Sequence, residues 1–93
     1  MDTEHIAAFL AIAQSGGFAR AARALHLSQP AISRRIRLLE QELGAPLFER
    51  LPRGIVLTGA GTAFLPHAQA TVASMRDGAA AVRAVVSGLF ICT

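Results

Sequence analysis

Gln29 and Ser33 fall about one helical turn apart, with Arg34 next to Ser33, in the run SQPAISRRIRLLE, residues 28–40. A carboxamide donates and accepts at once, a hydroxyl turns to either role, and a guanidinium offers a rigid fork of donors. Grouped on two successive turns, with the apolar edge of Pro30 beside them, they suit recognition of flat polar edges and anions. Bond-making chemistry has less to draw on. His5, His26 and His67 are scattered, without a Cys or acid at metal-ligand spacing, so no metal site is expected. His26 lies in a turn between helices and is read as structural. Glu40 and Glu42 stand two apart on a helix and face different ways. Gly59 and Gly61 (TGAGTAF) lack the strand of a dinucleotide motif and the lysine of a phosphate loop. The chain is read as a non-enzyme with no catalytic residue and no cofactor.

Charge points the same way. All nine basic residues are Arg, and seven of them (20, 23, 34, 35, 37, 50, 53) lie within residues 20–53 beside three acids (40, 42, 49). That segment is net +4 and the rest net −1, within a formal total of +3. A basic middle suits a phosphate-bearing or acidic partner, with an ordinary solvated surface as the plainer reading. At 93 residues the chain is one domain, or a small domain with an appendage. A chain this short buries roughly 60–65% of its unfolded surface, which disfavours a deep water-excluded cavity. Cys92, the single cysteine, excludes an intrachain disulfide. Asp2 and Glu4 stand where a signal peptide would be basic, and Arg interrupts every apolar run. A soluble, cytoplasmic chain without a membrane partner is expected.

Four helices and a hairpin must position the polar cluster. Ile6, Phe9, Leu10 and Ala13 recur at helical spacing over 3–14, with Asp2 or Thr3 to cap the start and Ser15-Gly16-Gly17 to end it. A short second helix over about 18–25 turns Phe18, Ala21, Ala22 and Leu25 inward, and its small alanines allow a close crossing. Ser28 suits an N-cap and Pro30 a first turn, so the third helix runs over about 29–43 and stops at Gly44. Its core face is Ile32, Ile36, Leu39 and Leu43; Pro30, Arg34, Arg37 and Gln41 point away, Ser33 flanks them, and Leu38 falls outside the core arc. Residues 47–50 and 55–58 read as strands of a hairpin turning at 51–54. The predicted fold is mainly α: a winged helix-turn-helix over 1–58, then a long linker helix over 59–88, then a stub over 89–93. Along the linker helix Phe64, Ala68, Val72, Met75, Ala79, Val82 and Val86 form a stripe, heptad-spaced from Ala68. Such a stripe pairs with a second copy or folds back on its own domain. Pro66 and Gly78 are possible weak points.

A helix held proud by a helix-turn-helix can enter a DNA major groove with its first two turns against the bases. Gln29 can pair with adenine, Arg34 with guanine or a phosphate, Ser33 with either partner type, and Pro30 with a thymine methyl. Ser28 leaves the positive helix end directed at phosphate, and Arg53 at the hairpin tip suits a narrow minor groove. Arg35 and Arg37 either contact DNA or solubilise the helix through pairs with Glu40 or Gln41. Arg20 and Arg23 are phosphate-facing or solvated. Glu40 is assigned a structural bond across to the first or second helix.

The run Gly17-Phe18-x-x-Ala21-Ala22-x-x-Leu25-x-x-Ser28-Gln29-Pro30-Ala31-Ile32-Ser33, continued by Ile36-x-x-Leu39-Glu40-x-x-Leu43-Gly44, resembles the LysR-type transcriptional regulators. So do Leu47-Phe48-x-Arg50, Arg53 and Leu57-Thr58-x-Ala60-Gly61, and the resemblance covers about residues 3–88. It implies a bacterial regulator that is a homodimer through antiparallel linker helices and sits on double-stranded DNA at an imperfect, often A·T-rich palindrome. It further implies base or phosphate contacts from Gln29, Pro30, Ser33 and Arg34, Arg53 in the minor groove, and Arg50 with Thr58 near the backbone. Gly17 stands where the family often has a capping Ser, at a cost of a few tenths of a kcal/mol. Regulators of this family also carry an inducer-binding domain, which these residues do not include; Gly88 to Thr93 are read either as the stub of its first strand or as a natural or engineered end. The competing expectation is an interaction module that sets its basic helix on an acidic protein.

Overall fold

The structure is a computed structural model that describes residues 1–91. Four helices, α1 (Thr3–Ser15), α2 (Phe18–Ala24), α3 (Gln29–Leu43) and α4 (Gly59–Ile91), accompany a largely exposed two-stranded hairpin of β1 (Phe48–Leu51) and β2 (Gly54–Leu57). The order is that of a winged helix-turn-helix with a long helix appended.

The helix ends follow from local chemistry. The Asp2 carboxylate accepts from the Glu4 amide at 2.9 Å, and Gly16 closes α1 in the left-handed region at φ 79°. Ser28 Oγ accepts from the Ala31 amide at 3.2 Å, and Gly44 closes α3 at φ 77°. Gly17 begins α2 with no side-chain cap. The turn after α2 uses a residue that strains to fit: His26 adopts φ 57°. There the His26 amide donates to the Arg23 carbonyl at 3.2 Å and the Leu27 amide to the Ala22 carbonyl at 2.8 Å. These two bonds close the end of a helix and normally favour glycine at the left-handed position. The structural role expected of His26 is thus backbone geometry in an exposed turn.

Packing centres on α1, which is buried on more sides than its apolar stripe suggests. Ile6, Phe9 and Leu10 are buried as expected, and so are Ala8 and Ile12, because α1 is covered by α2 and α3 on one side and α4 on the other. Phe9, fully enclosed, meets the rings of Phe48 from the hairpin at 5.3 Å and Phe64 from α4 at 5.2 Å. Aromatic pairs in tilted or edge-to-face geometry at such separations add about 0.5–1.5 kcal/mol beyond their buried area. Ala21 and Ala22 are buried at the crossing of the helix-turn-helix, and Ile32, Ile36 and Leu39 form the core face of α3. Leu38 is exposed, as its place on the wheel dictates.

Three expectations need correction. The strands are Phe48–Leu51 and Gly54–Leu57, one residue away from 47–50 and 55–58, with Leu51 opposite Gly54 and only Pro52 and Arg53 in the turn. The cause is that Leu47 and Thr58 anchor the hairpin from outside it: the Leu47 amide is taken by Glu40 Oε2 at 2.7 Å, and Thr58 turns into α4. The stripe on α4 also divides. Ala68 is buried in this domain's own core, with Phe64 and Val72 packed against it. Apolar spacing alone does not tell a domain's own α1 from another copy. Finally, α4 continues through Leu89–Ile91, so those residues are helical rather than the beginning of a strand; Cys92 and Thr93 lie outside the described residues. The helix is assigned without a break across Pro66 and Gly78.

The base of the hairpin is one connected junction. The Leu47 carbonyl accepts from the Thr58 amide at 3.0 Å, and Thr58 Oγ1 donates to the Pro46 carbonyl at 2.6 Å while accepting from the Gly61 amide at 3.0 Å. Gly61 is buried directly against Leu47, where a Cβ would run into the Leu47 carbonyl oxygen and the Leu57 side chain. Gly61→Ala therefore drives α4 off the hairpin and lowers stability by about 1–3 kcal/mol, seen as a lower urea midpoint at unchanged slope. Glu40→Ala, which leaves the Leu47 amide without its carboxylate, costs a similar amount in the same measurement.

Candidate nucleic-acid interface

The polar cluster is presented by α3, whose inner face is fixed in the core. With Ile32, Ile36 and Leu39 turned inward, Gln29, Pro30, Arg34 and Arg37 are exposed and Ser33 is half-buried on the flank. Ser28 caps the helix, and its hydroxyl is engaged with Ala31. The α3 N-terminus is thereby fixed in place while Gln29 and Pro30, on its first turn, face solvent.

The two flanks of α3 differ. On one, Arg35 reaches back to Glu4 of α1 at 3.4 Å, so its charge ties two helices together. That partner is neither Glu40 nor Gln41, the two weighed from the sequence. On the other flank, Ser33, Ile36, Arg37 and Glu40 line a shallow cleft closed by Phe18 of α2 and by Phe48 and Arg50 of β1. Glu40 does serve a structural role, but its partner is the Leu47 amide at the hairpin base instead of α1 or α2. Arg50 lies with its guanidinium carbon 4.6 Å from the centroid of the Phe18 ring. The Phe18 ring in turn meets Phe48 edge-on at 6.1 Å.

Among the described residues the ion pairs are Arg35 with Glu4 and the N-terminal amine with Glu42 at 3.3 Å. Arg20, Arg23, Arg34, Arg37, Arg50 and Arg53 are exposed and outside these pairs, so their charge is open to a partner. Arg53 sits in the two-residue turn of the hairpin, and neither it nor Thr58 lines the cleft. Thr58, placed near a DNA backbone by the resemblance, has its hydroxyl committed to Pro46 and Gly61 and serves as the cap of α4.

Two features of the site carry no local signal in the sequence. Phe18 reads as a core residue at its helix start, and its contact with Arg50 joins residues 32 positions apart. The Glu40–Leu47 bond spans the turn out of α3 and shows only when the hairpin is in place. Among the described residues no group of three or more His, Cys, Asp or Glu is arranged to hold a metal ion. Nδ1 of His5 is enclosed in α1 without a hydrogen-bond partner, and His26 and His67 are exposed on separate elements. No helix among the described residues is long and apolar enough to cross a membrane.

Comparison with known proteins agrees with this arrangement. Over 95% of its length the chain is 40% identical to the HTH-type transcriptional regulator TfdT of Cupriavidus pinatubonensis, of which it covers 39%. It spans from 23% to 62% of the length of the curated relatives it matches. Among solved structures it is similar to the CbnR DNA-binding domain in complex with DNA, with TM-score 0.85, 41% identity, and coverage of 92% of this chain and 99% of that one. It is also similar to the BenM DNA-binding domain on catB site 1 DNA, with TM-score 0.89, 31% identity, and coverage of 94% and 98%. Residues 3–62 match the family described as bacterial regulatory helix-turn-helix proteins of the lysR type. The chain belongs to the LysR family, as an N-terminal winged helix-turn-helix domain.

Proposed function

We propose that this domain binds double-stranded DNA sequence-specifically, as a homodimer, in transcriptional regulation. The observation that carries the reading is the presentation of α3: its apolar face is locked into the core while Gln29, Pro30, Arg34 and Arg37 stand exposed beside Ser33. In this reading the first two turns of α3 lie in the major groove, where Gln29 and Arg34 read base edges. Arg53, in the hairpin turn, enters the adjacent minor groove. Arg37 and Arg50 contact the backbone, and the exposed Arg20 and Arg23 add phosphate attraction. Support also comes from the CbnR and BenM domains, which were solved on DNA.

The homodimer rests on the outer part of α4. Beyond the residues packed on α1, Met75, Val82 and Val86 are 54%, 64% and 51% exposed, and Ala79 is exposed between them. α4 has 33 residues and, at about 1.5 Å per residue, is roughly 50 Å long, so this part extends beyond the helix-turn-helix. An antiparallel pair of such helices would cover both stripes and place two recognition helices on the halves of an imperfect, A·T-rich palindrome. Inducer sensing is assigned to none of these residues.

Selection of bound duplexes from a random pool tests the function. A recovered motif with two related half-sites supports it, and affinity should fall steeply with salt, by about 0.9 log units per log unit of salt for each phosphate contacted. Failure to enrich any sequence, with binding to acidic polypeptides instead, would favour an interaction module. On the selected site Gln29→Ala should relax preference at one base pair by about 1–3 kcal/mol, read from a panel of single-base variants; equal weakening on all variants would reduce Gln29 to a positioning role. Val82→Asp should shift sedimentation towards monomer and weaken binding to the two-half-site duplex without unfolding the helix-turn-helix.

A further inference from the structure

We infer that Phe18 is a positioning residue for a DNA phosphate: its ring face holds the Arg50 guanidinium beside Ser33 and Arg37, making an anion notch between the recognition helix and the wing. The inference rests on the DNA-binding reading and adds a residue that the helix-turn-helix pattern assigns to packing alone.

Four observations converge on it. The Arg50 guanidinium carbon is 4.6 Å from the Phe18 ring centroid, within the range where a cation is drawn to an aromatic face. The ring itself is steadied, half-buried at the start of α2 and edge-on to Phe48, which packs in turn, tilted, against the enclosed Phe9. The cleft beneath it is lined by Ser33 and Arg37, so three donors from two elements converge. Glu40, the acid lining that cleft, has one oxygen engaged by the Leu47 amide, and neither Arg37 nor Arg50 is in an ion pair among the described residues.

The contact with the ring matters because a free arginine loses much rotamer freedom when it grips a phosphate. A guanidinium held over a ring has already given up part of that freedom, and its donors that do not face the ring stay open for a grip on phosphate oxygens. A lysine at the same place would keep the charge and lose the rigid fork of donors.

The test uses the full chain and a duplex taken from the random-pool selection, with affinity measured across a salt series. Phe18→Leu should weaken binding about two- to fivefold and make the salt dependence shallower, towards that of Arg50→Ala. Phe18→Tyr, which keeps the ring, should restore both. In an Arg50→Ala background Phe18→Leu should have no further effect. Arg50→Lys, which leaves the core untouched, should lose about twofold or more, and it carries the test if Phe18→Leu does not fold. Additive losses in the double variant, no rescue by Tyr, or wild-type affinity in Arg50→Lys would each overturn the inference while leaving DNA binding intact. A wild-type chain that enriches no duplex would instead overturn the DNA-binding reading, and this inference with it.

Discussion

The peptide unit of Leu47 is the constraint on which the rest of the molecule depends. Its amide is held by a carboxylate from α3, its carbonyl by the residue that caps α4, and its side chain is enclosed at 1% exposure. Gly61 lies flush against the same carbonyl. One residue thus relates recognition helix, wing and long helix to one another. A buried or half-buried hydrogen bond to a charged group is stronger than a neutral one, and losing one partner strands the other. The orientation of the wing against α3 is consequently set by bonds at its base, and Pro52 and Arg53 at its tip remain free to serve another purpose.

A second level of order comes from aromatic rings. Phe9 receives Phe48 and Phe64, and Phe48 also meets Phe18. The cluster therefore links α1, α2, β1 and α4 through groups that are large, rigid and without polar demands. In a chain this short such rings supply much of the core that longer domains build from many aliphatic side chains. The alanines at the helix crossings let backbones approach closely enough for the rings to meet.

Much of this was legible in the sequence where the cause is local. Asp2, Ser28 and Gly44 announce helix ends because capping is settled within three or four residues. The core face of α3 is legible because Ile32, Ile36 and Leu39 share one side of a helix whatever lies opposite. The rest was hidden wherever two distant segments decide together. Both strands of the hairpin lie one residue nearer the turn because Glu40 claims the Leu47 amide. Ile12 and Ala8 of α1 became core because α4 covers a second side of that helix. The Arg50–Phe18 contact joins a strand to a helix start and leaves no periodic trace. The bond from the Thr58 hydroxyl to the Pro46 carbonyl spans the whole hairpin and is equally unannounced by any local pattern. Arg35 was left open between contact and solubility, and its partner proved to be an acid near the start of the chain.

The divided stripe on α4 has a consequence of its own. Ala68, wedged into the core, is answerable to the interior of its own domain, and any change of size there is felt by Phe9 and the aromatic cluster. A valine at 82 or 86 is answerable only to whatever lies against it from outside. One continuous helix therefore has an inner half whose sequence is tied to folding and an outer half whose sequence can drift without it. Related chains could change their choice of companion by altering the outer half alone, with the shape of the recognition surface left as it was.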